Sequence, residues 1–407
     1  MKIVDDLKVL NRQQRATFIA SVLGWTLDAF DYFLLVFMLR AIAADFHAKV
    51  VEVAFAITLT LIFRPFGALI FGWLAEYYGR RPVLMINVLL FSAFELASAF
   101  APSLLALLIL RALFGFAMGG EWGTGASLVM ESIPAQSRGT VSGILQQGYP
   151  LGYLLASVVY GLLFDWIGWR GMFMVGVLPA LLVFYIRAGV KESPAWVRNR
   201  RRLKQESVPA ALVRHWRPFL YVILLMTAFN FLSHGTQDLY PTFLQGQHHL
   251  PTRTVSMILI VMNVGAIIGG ITIGTYSQRM GRRRAIIMAA LLVLPVIPLW
   301  AFAATPVMLG LGAFLIQMAV QGAWGVIPAH LNELSPPELR GTFPGFAYQL
   351  GNLLAASNAV LQPMIADRNG GDYGLALAGV VTVAAVAVAV IAACGKEARE
   401  TVFGSET

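Results

Sequence analysis

Eight ionisable side chains stand inside long stretches that are otherwise almost free of charge: Asp28, Asp31, Arg64, Glu95, Arg111, Glu121, His234 and Asp238. Charges at bilayer depth are costly and persist where they line a cavity, pair with one another or move an ion. A guanidinium binds a carboxylate through two parallel hydrogen bonds and stays charged at any working pH, so Arg64 is the candidate anchor for an organic anion. Carboxylates can carry protons. Asp28, Asp31 and Glu121 outnumber their candidate partners Arg64 and Arg111 by one, and an acid left without a base is a candidate proton carrier. Glu95 is expected to be structural.

A second set lies further along. Asn230, Ser233, His234, Gln237 and Asp238 are spaced i, i+3, i+4, i+7 and i+8, which places them on one face of a helix. A polar stripe on an apolar helix must face water or protein. Pro241 is expected to break that helix near its outer end, where broken backbone is tolerated beside a cavity. His234 and Asp238 join the candidate proton carriers. His248 and His249 form a lone pair, and the Ser-His-Asp run is a single helix stripe without a separate oxyanion site, so no enzyme is expected. The single cysteine, Cys394, excludes an internal disulfide and a thiolate metal site. No metal and no cofactor other than the coupling proton is expected.

The elements that position these groups follow from composition. Of 407 residues, 58% are hydrophobic and 13% charged, and the mean hydropathy is +0.70. About twelve runs reach the roughly 20 residues needed to cross a bilayer, which leaves no segment for an independent soluble catalytic domain. The polar start of the chain precedes a span too long for a cleavable signal. Twenty-three of the thirty Lys and Arg fall on the side of both termini and five on the opposite side. Positive-inside bias puts both termini in the cytoplasm, as for a multi-pass protein of a bacterial inner membrane. The net charge of +9 is thus an orientation device, with no nucleic-acid role.

An internal repeat sets the architecture. Gly72, Gly79, Arg80 and Arg81 recur as Gly274, Gly281, Arg282 and Arg283, an offset of 202 residues. The same offset carries Glu131, Pro134, Arg138, Gly139 and Thr140 onto Glu333, Pro336, Arg340, Gly341 and Thr342. The expected fold is an all-α integral membrane protein of twelve transmembrane helices in two pseudo-symmetric six-helix bundles. Residues 1–190 form the first bundle, 191–216 a cytoplasmic linker and 217–407 the second. Parallel halves about an axis along the membrane normal suit alternating access.

The loop Gly72-Trp-Leu-Ala-Glu76-Tyr-Tyr-Gly79-Arg80-Arg81 resembles the signature of the major facilitator superfamily. Its glycines permit a tight turn and close helix approach. Glu76 can pair across the helix ends, while Arg80 and Arg81 are expected to anchor the loop at the anionic leaflet. Gln278 stands at the second acid position, so that latch should be weaker. Glu76, Gly79, Arg80, Arg81, Arg138, Arg282 and Arg340 are the expected gating residues.

The run Asn230-x-x-Ser233-His234-x-Thr236-Gln237-Asp238-x-x-x-Thr242 resembles the span-7 signature of fungal Jen-type monocarboxylate permeases, in the lactate and sialate proton symporter family. Trp25-Thr-Leu-Asp28-Ala-Phe-Asp31-Tyr32, Arg64-Pro65-Phe-Gly67 and Tyr348-Gln349-Leu-Gly351-Asn352 are similar to that family too. The resemblance implies proton-driven symport of a short monocarboxylate such as lactate or pyruvate, with Arg64, Asn230, His234, Gln237, Asp238 and Gln349 as functional positions. The amides and imidazole can donate to and accept from a hydroxyl or keto oxygen, while Trp25, Tyr32, Phe63 and Tyr348 could wall the site. A carrier of sialate, aromatic or other carboxylates, or an anion exchanger, is the alternative. A monomer in membrane lipid is expected.

Overall fold

A computed structural model describes residues 2–203, 207–399 and 401–403, and the regular structure among them is helical. Helix is what a membrane allows, because each backbone N–H and C=O must be satisfied within the segment. Ten stretches are long and apolar enough to cross it. One of these, Ala135–Gly189, holds two spans folded at Gly168. An interrupted eleventh span, Phe343–Ala355 and Asn358–Arg368, completes the twelve.

The first three spans are Arg12–Asp45, Val50–Tyr78 and Arg80–Ala99. The fourth breaks at Gly120 into Leu104–Gly119 and Glu121–Ser132. The fifth starts as Arg138–Gln146 and continues in Gly148–Val175, which runs past the bend into the sixth, completed by Ala180–Gly189. In the second bundle the seventh is Trp216–Gln237 followed by Tyr240–Gly246, and the eighth and ninth are Thr252–Met280 and Arg282–Ala301. The tenth is Pro306–Trp324 with Ile327–Leu334, and the twelfth is Tyr373–Cys394. Helices Pro194–Leu203 and Val208–Arg214 lie between the bundles. The seventh span breaks at Asp238 and Leu239, ahead of the expected Pro241, which sits instead in the first turn of the next segment, where its missing N–H does no harm.

Local signals start these helices where the repeat puts them. Ser103 and Thr305, 202 residues apart, each cap a span by accepting the N–H three residues on, at 3.2 and 3.3 Å. Gly79 and Gly281 turn the chain between spans at φ 110° and 100°, values that L side chains rarely adopt.

The halves meet where the second span packs on the eleventh and the fifth on the eighth. Hydrogen bonds between them gather on the side that carries both ends of the chain, here the terminal face. Glu76 Oε1 accepts from the N–H groups of Gly341 (2.5 Å) and Thr342 (3.2 Å), and Gln278 Oε1 accepts from Gly139 N–H (3.2 Å). These two contacts are images of one another under the 202-residue repeat. Ser127 Oγ donates to the Arg340 carbonyl and Ser142 Oγ to that of Gly325.

Arg80 and Arg282 are not leaflet anchors. Both are buried, Arg80 between Glu76 (2.7 Å) and Glu131 (3.3 Å), and Arg282 in a bidentate pair with Glu333 at 2.9 Å. The buried carboxylates of the same motifs draw them inward, because an unpaired acid there would be costly. Arg81 reaches the Arg187 carbonyl, and Arg138 stands 3.8 Å from Glu333 across the junction.

Candidate functional site

Between the halves lies a cavity of about 730 Å³. Its walls include Phe37 near the end of the first span, Ile57 near the start of the second, and Leu259 near the start of the eighth. These positions place its mouth on the face opposite the termini. The outer walls are mostly apolar, and polar groups gather at the inner end.

A small pocket adjoins the cavity there, sharing Tyr32, Tyr149, His234 and Asn352 with its wall; the first half lines this pocket with Tyr32, Arg64, Gln146 and Tyr149, and the second half with all five residues of the span-7 stripe, Gln321, Tyr348 and Asn352. Arg64 is 4% exposed, lies 5.0 Å over the Tyr32 ring, and points Nη2 at Met118 Sδ. Among the described residues no carboxylate comes within ion-pair distance of it, and its Nε is buried without a hydrogen-bond partner. Gly119 lets the fourth span come close here: a Cβ on it would sit 2.0 Å from the Arg64 carbonyl oxygen. The anchor is thus set by a close helix crossing.

Opposite Arg64, His234 is held at both ring nitrogens. Nδ1 faces Asp238 Oδ2 at 3.1 Å and Nε2 faces Asn352 Oδ1 at 3.0 Å. Gln237 Nε2 donates to Ser233 Oγ (3.0 Å) and Gln317 Oε1 (3.3 Å), and Gln317 donates to Thr236 Oγ1 (2.9 Å). Asn230 spends its amide N–H on the Met226 carbonyl. A buried cation on one wall and a web of donors and acceptors on the other can hold a molecule with a carboxylate at one end and a polar oxygen beyond it.

Asp28, Asp31 and Glu121 do not line the cavity. They are sealed within the first bundle, 0–1% exposed, and Oδ1 of Asp28 and both oxygens of Asp31 and Glu121 have no hydrogen-bond partner among the described residues. Arg111, whose charge reaches Asp31 among the three, is bound chiefly elsewhere. It forms a 2.7 Å ion pair with Glu95, donates to Ser98 Oγ, and lies over the rings of Phe114 and Phe173. The pairing of the third and fourth spans thus ties Arg111 to Glu95, the acid expected to be structural. Of the two expected bases, Arg64 acts on Asp28 and Arg111 on Asp31, while the charged neighbour of Glu121 is Asp28.

Below the cavity, rings close the way to the terminal face. Trp122 and Tyr348 approach to 4.7 Å between centroids, Trp324 and Tyr348 to 5.6 Å, and Trp25 stacks on Tyr149 at 5.8 Å. Trp25 is therefore part of the floor. Two expected site residues lie elsewhere: Gln349, a substrate-binding candidate, is buried in the eleventh span away from the cavity lining, and Phe63, a wall candidate, is 36% exposed on the bundle exterior beside Phe66. Asn352, one turn beyond Gln349 in sequence, faces His234 instead. Sequence reasoning missed Gln146, Gln317, Gln321 and Asn352 as site residues; the signal for the tenth-span pair is two amides spaced i, i+4 on an apolar helix.

A profile described as Major Facilitator Superfamily matches residues 22–359. The chain is 27% identical over 391 residues to the carboxylic acid transporter protein homolog of Saccharomyces cerevisiae, covering 90% of this chain and 63% of the yeast protein. It is 30% identical over 361 residues to the probable 4-methylmuconolactone transporter of Cupriavidus pinatubonensis (86% of this chain, 83% of that one), and 27% identical to the sialic acid transporter NanX of Escherichia coli, with 94% of each covered. The proton:xylose symporter XylE superposes with a TM-score of 0.78 at 17% identity over 95% of this chain and 98% of that one, a likeness of fold.

Proposed function

The chain belongs to the Major Facilitator Superfamily and is a membrane transporter, not an enzyme; from that premise we propose that it carries a small organic monocarboxylate together with a proton by alternating access. The observation that carries this reading is Arg64, a buried guanidinium at the inner end of the cavity without a carboxylate partner among the described residues. Relatives named for carboxylic acid, muconolactone and sialate transport support an organic acid as cargo. The terminal face is the cytoplasmic one, so the cavity opens outward, and the protein works as a monomer.

Arg64 takes the carboxylate. His234, Gln237 and Asn230 meet the polar oxygen beyond it, with Tyr32 and Tyr348 as walls; Gln349, off the lining, takes no direct part in this conformation. Asp28, Asp31 and Glu121 hold the coupling protons within the first bundle, Asp28 in reach of the Arg64 charge, and Asp238 with His234 forms a second proton site on the opposite wall. Releasing a proton there creates a charge that competes with the substrate for Arg64, which links the two fluxes.

Lactate and pyruvate are the first substrates to test. The volume and apolar outer walls of the cavity favour larger organic acids as the second reading. Purified protein in liposomes should accumulate one of a panel of labelled acids under an inward proton gradient. Arg64→Lys, which keeps the charge but loses the planar fork, should weaken uptake by about tenfold or more. Gradient-independent flux would remove the proton, and unchanged uptake by Arg64→Lys and Arg64→Ala would remove the anchor.

A further inference from the structure

The C-terminal tail crosses the terminal face. Glu397 Oε2 accepts from Arg283 N–H at 3.1 Å, and the Arg399 guanidinium donates to the Arg279 carbonyl at 2.7 Å, both in the second half. Thr401 then reaches the first half. Its carbonyl accepts from Arg138 at 2.7 Å, while its hydroxyl donates to the Glu333 carbonyl at 3.3 Å. Phe403 follows, 5% exposed, with its carbonyl held at 3.1 Å by Arg198 of the linker.

The Phe403 ring lies against two guanidinium groups. Cζ of Arg138 is 3.6 Å and Cζ of Arg340 is 4.3 Å from its centroid. These arginines occupy equivalent places in the repeat, one in each half. Facing each other alone they would repel, but the electron-rich faces of one ring attract both. Phe403 belongs to one apolar cluster with Met130 and Val141 of the first half, Ala195 of the linker and Ala329 of the second half.

We propose that the C-terminal tail is a strap that holds the terminal face shut, with Phe403 as its clasp between Arg138 and Arg340. Any conformation that opens this face moves the two arginines apart with their halves, and one ring cannot stay on both. The strap must release in every cycle. It biases the carrier toward the conformation seen here and slows the swing to the other. The inference rests on alternating access but on no particular cargo, so it can be tested without substrate.

The test is a distance measurement between spin labels on the exposed terminal-face residues Gln136→Cys and Pro337→Cys, in a full-length Cys394→Ser background. Phe403→Ala should raise the population with the longer separation about tenfold, the scale of losing cation–π contacts at a desolvated site. Phe403→Leu, which keeps apolar bulk without the ring, should do the same, whereas Phe403→Trp should stay close to the parent. If Phe403→Ala and Phe403→Leu both keep the parent distribution, the strap is overturned; if only Phe403→Ala opens the face, the clasp between the arginines is overturned. A Gly123→Trp wedge, which forces this face apart by bulk, serves as the control. A distance unmoved even by the wedge overturns alternating access itself, and the strap with it.

Discussion

Glu121 is accommodated by the absence of a side chain elsewhere. A Cβ on Gly24 would fall 2.3 Å from Glu121 Oε1, so the first span leaves an opening that the carboxyl group of the fourth span fills. Gly24→Ala should therefore lower the thermal midpoint through overpacking, on the order of 1–3 kcal/mol. In a Glu121→Ala background the same change should be nearly neutral, because the atom it meets is gone; equal penalties in both backgrounds would dissociate the two residues. At this scale much of the site was legible. Arg64 and the span-7 stripe stood out because charge and polar periodicity are rare on apolar helices. Arg111 and Phe63 were misplaced for a common reason: when lipid and protein interior are both apolar, composition does not say which way a helix face looks. The direction is set by crossing angles, and these brought Arg111 onto Glu95 and left Phe63 outside.

The twelve spans were legible as hydropathy, their interruptions less so. Gly120 ends a helical segment in the fourth span, while Pro65 sits within the second without interrupting it. Tertiary contacts, more than residue type, decide which glycine or proline becomes a break. The linker was visible as a charged stretch, but its attachment was not. His215, just past the helix Val208–Arg214, meets Glu338 of the short turn before the eleventh span at 2.8 Å, and Arg214 adds a 3.5 Å contact. Partial burial works against the Glu338 carboxylate, yet its own backbone N–H, His215 and Arg214 outweigh that effect and hold its pKa below the ordinary 4.5. A depressed carboxylate pKa stabilises the folded protein fully above about 4.5 and loses that contribution as pH falls through the lower folded value. The thermal midpoint of the native protein should thus fall more between about pH 5 and pH 3 than that of Glu338→Gln. Parallel curves would mean that the linker does not lean on this contact.

The whole molecule shows its twofold character already in the repeat, and the charge bias of the loops in the same reading. Which face stands open was not legible, because it follows from many small contacts between the halves. One of these is the approach of Gly123 and Gly345, where a Cβ on Gly123 would lie 2.6 Å from the Gly345 Cα. A bulky residue there cannot be housed while the terminal face is closed. Gly123→Trp should therefore bury the cavity from the opposite face. Labelling of Leu61→Cys, on the cavity wall, by an impermeant thiol reagent from that face should slow about tenfold, as for a population shift of about 1.4 kcal/mol. Unchanged labelling would show that these glycines do not control the opening.

Arg64 also has an electrical side. A fixed cation with no ion-paired carboxylate among the described residues responds to the transmembrane voltage, and a full unit charge carried through 100 mV is worth about 2.3 kcal/mol. A bound carboxylate cancels that charge. Loaded, the carrier is then nearly blind to voltage. Empty and with its proton released, as the proposed coupling requires, it is nearly blind too, because the freed carboxylate then balances Arg64, so the pH gradient and not the resting potential drives the cycle.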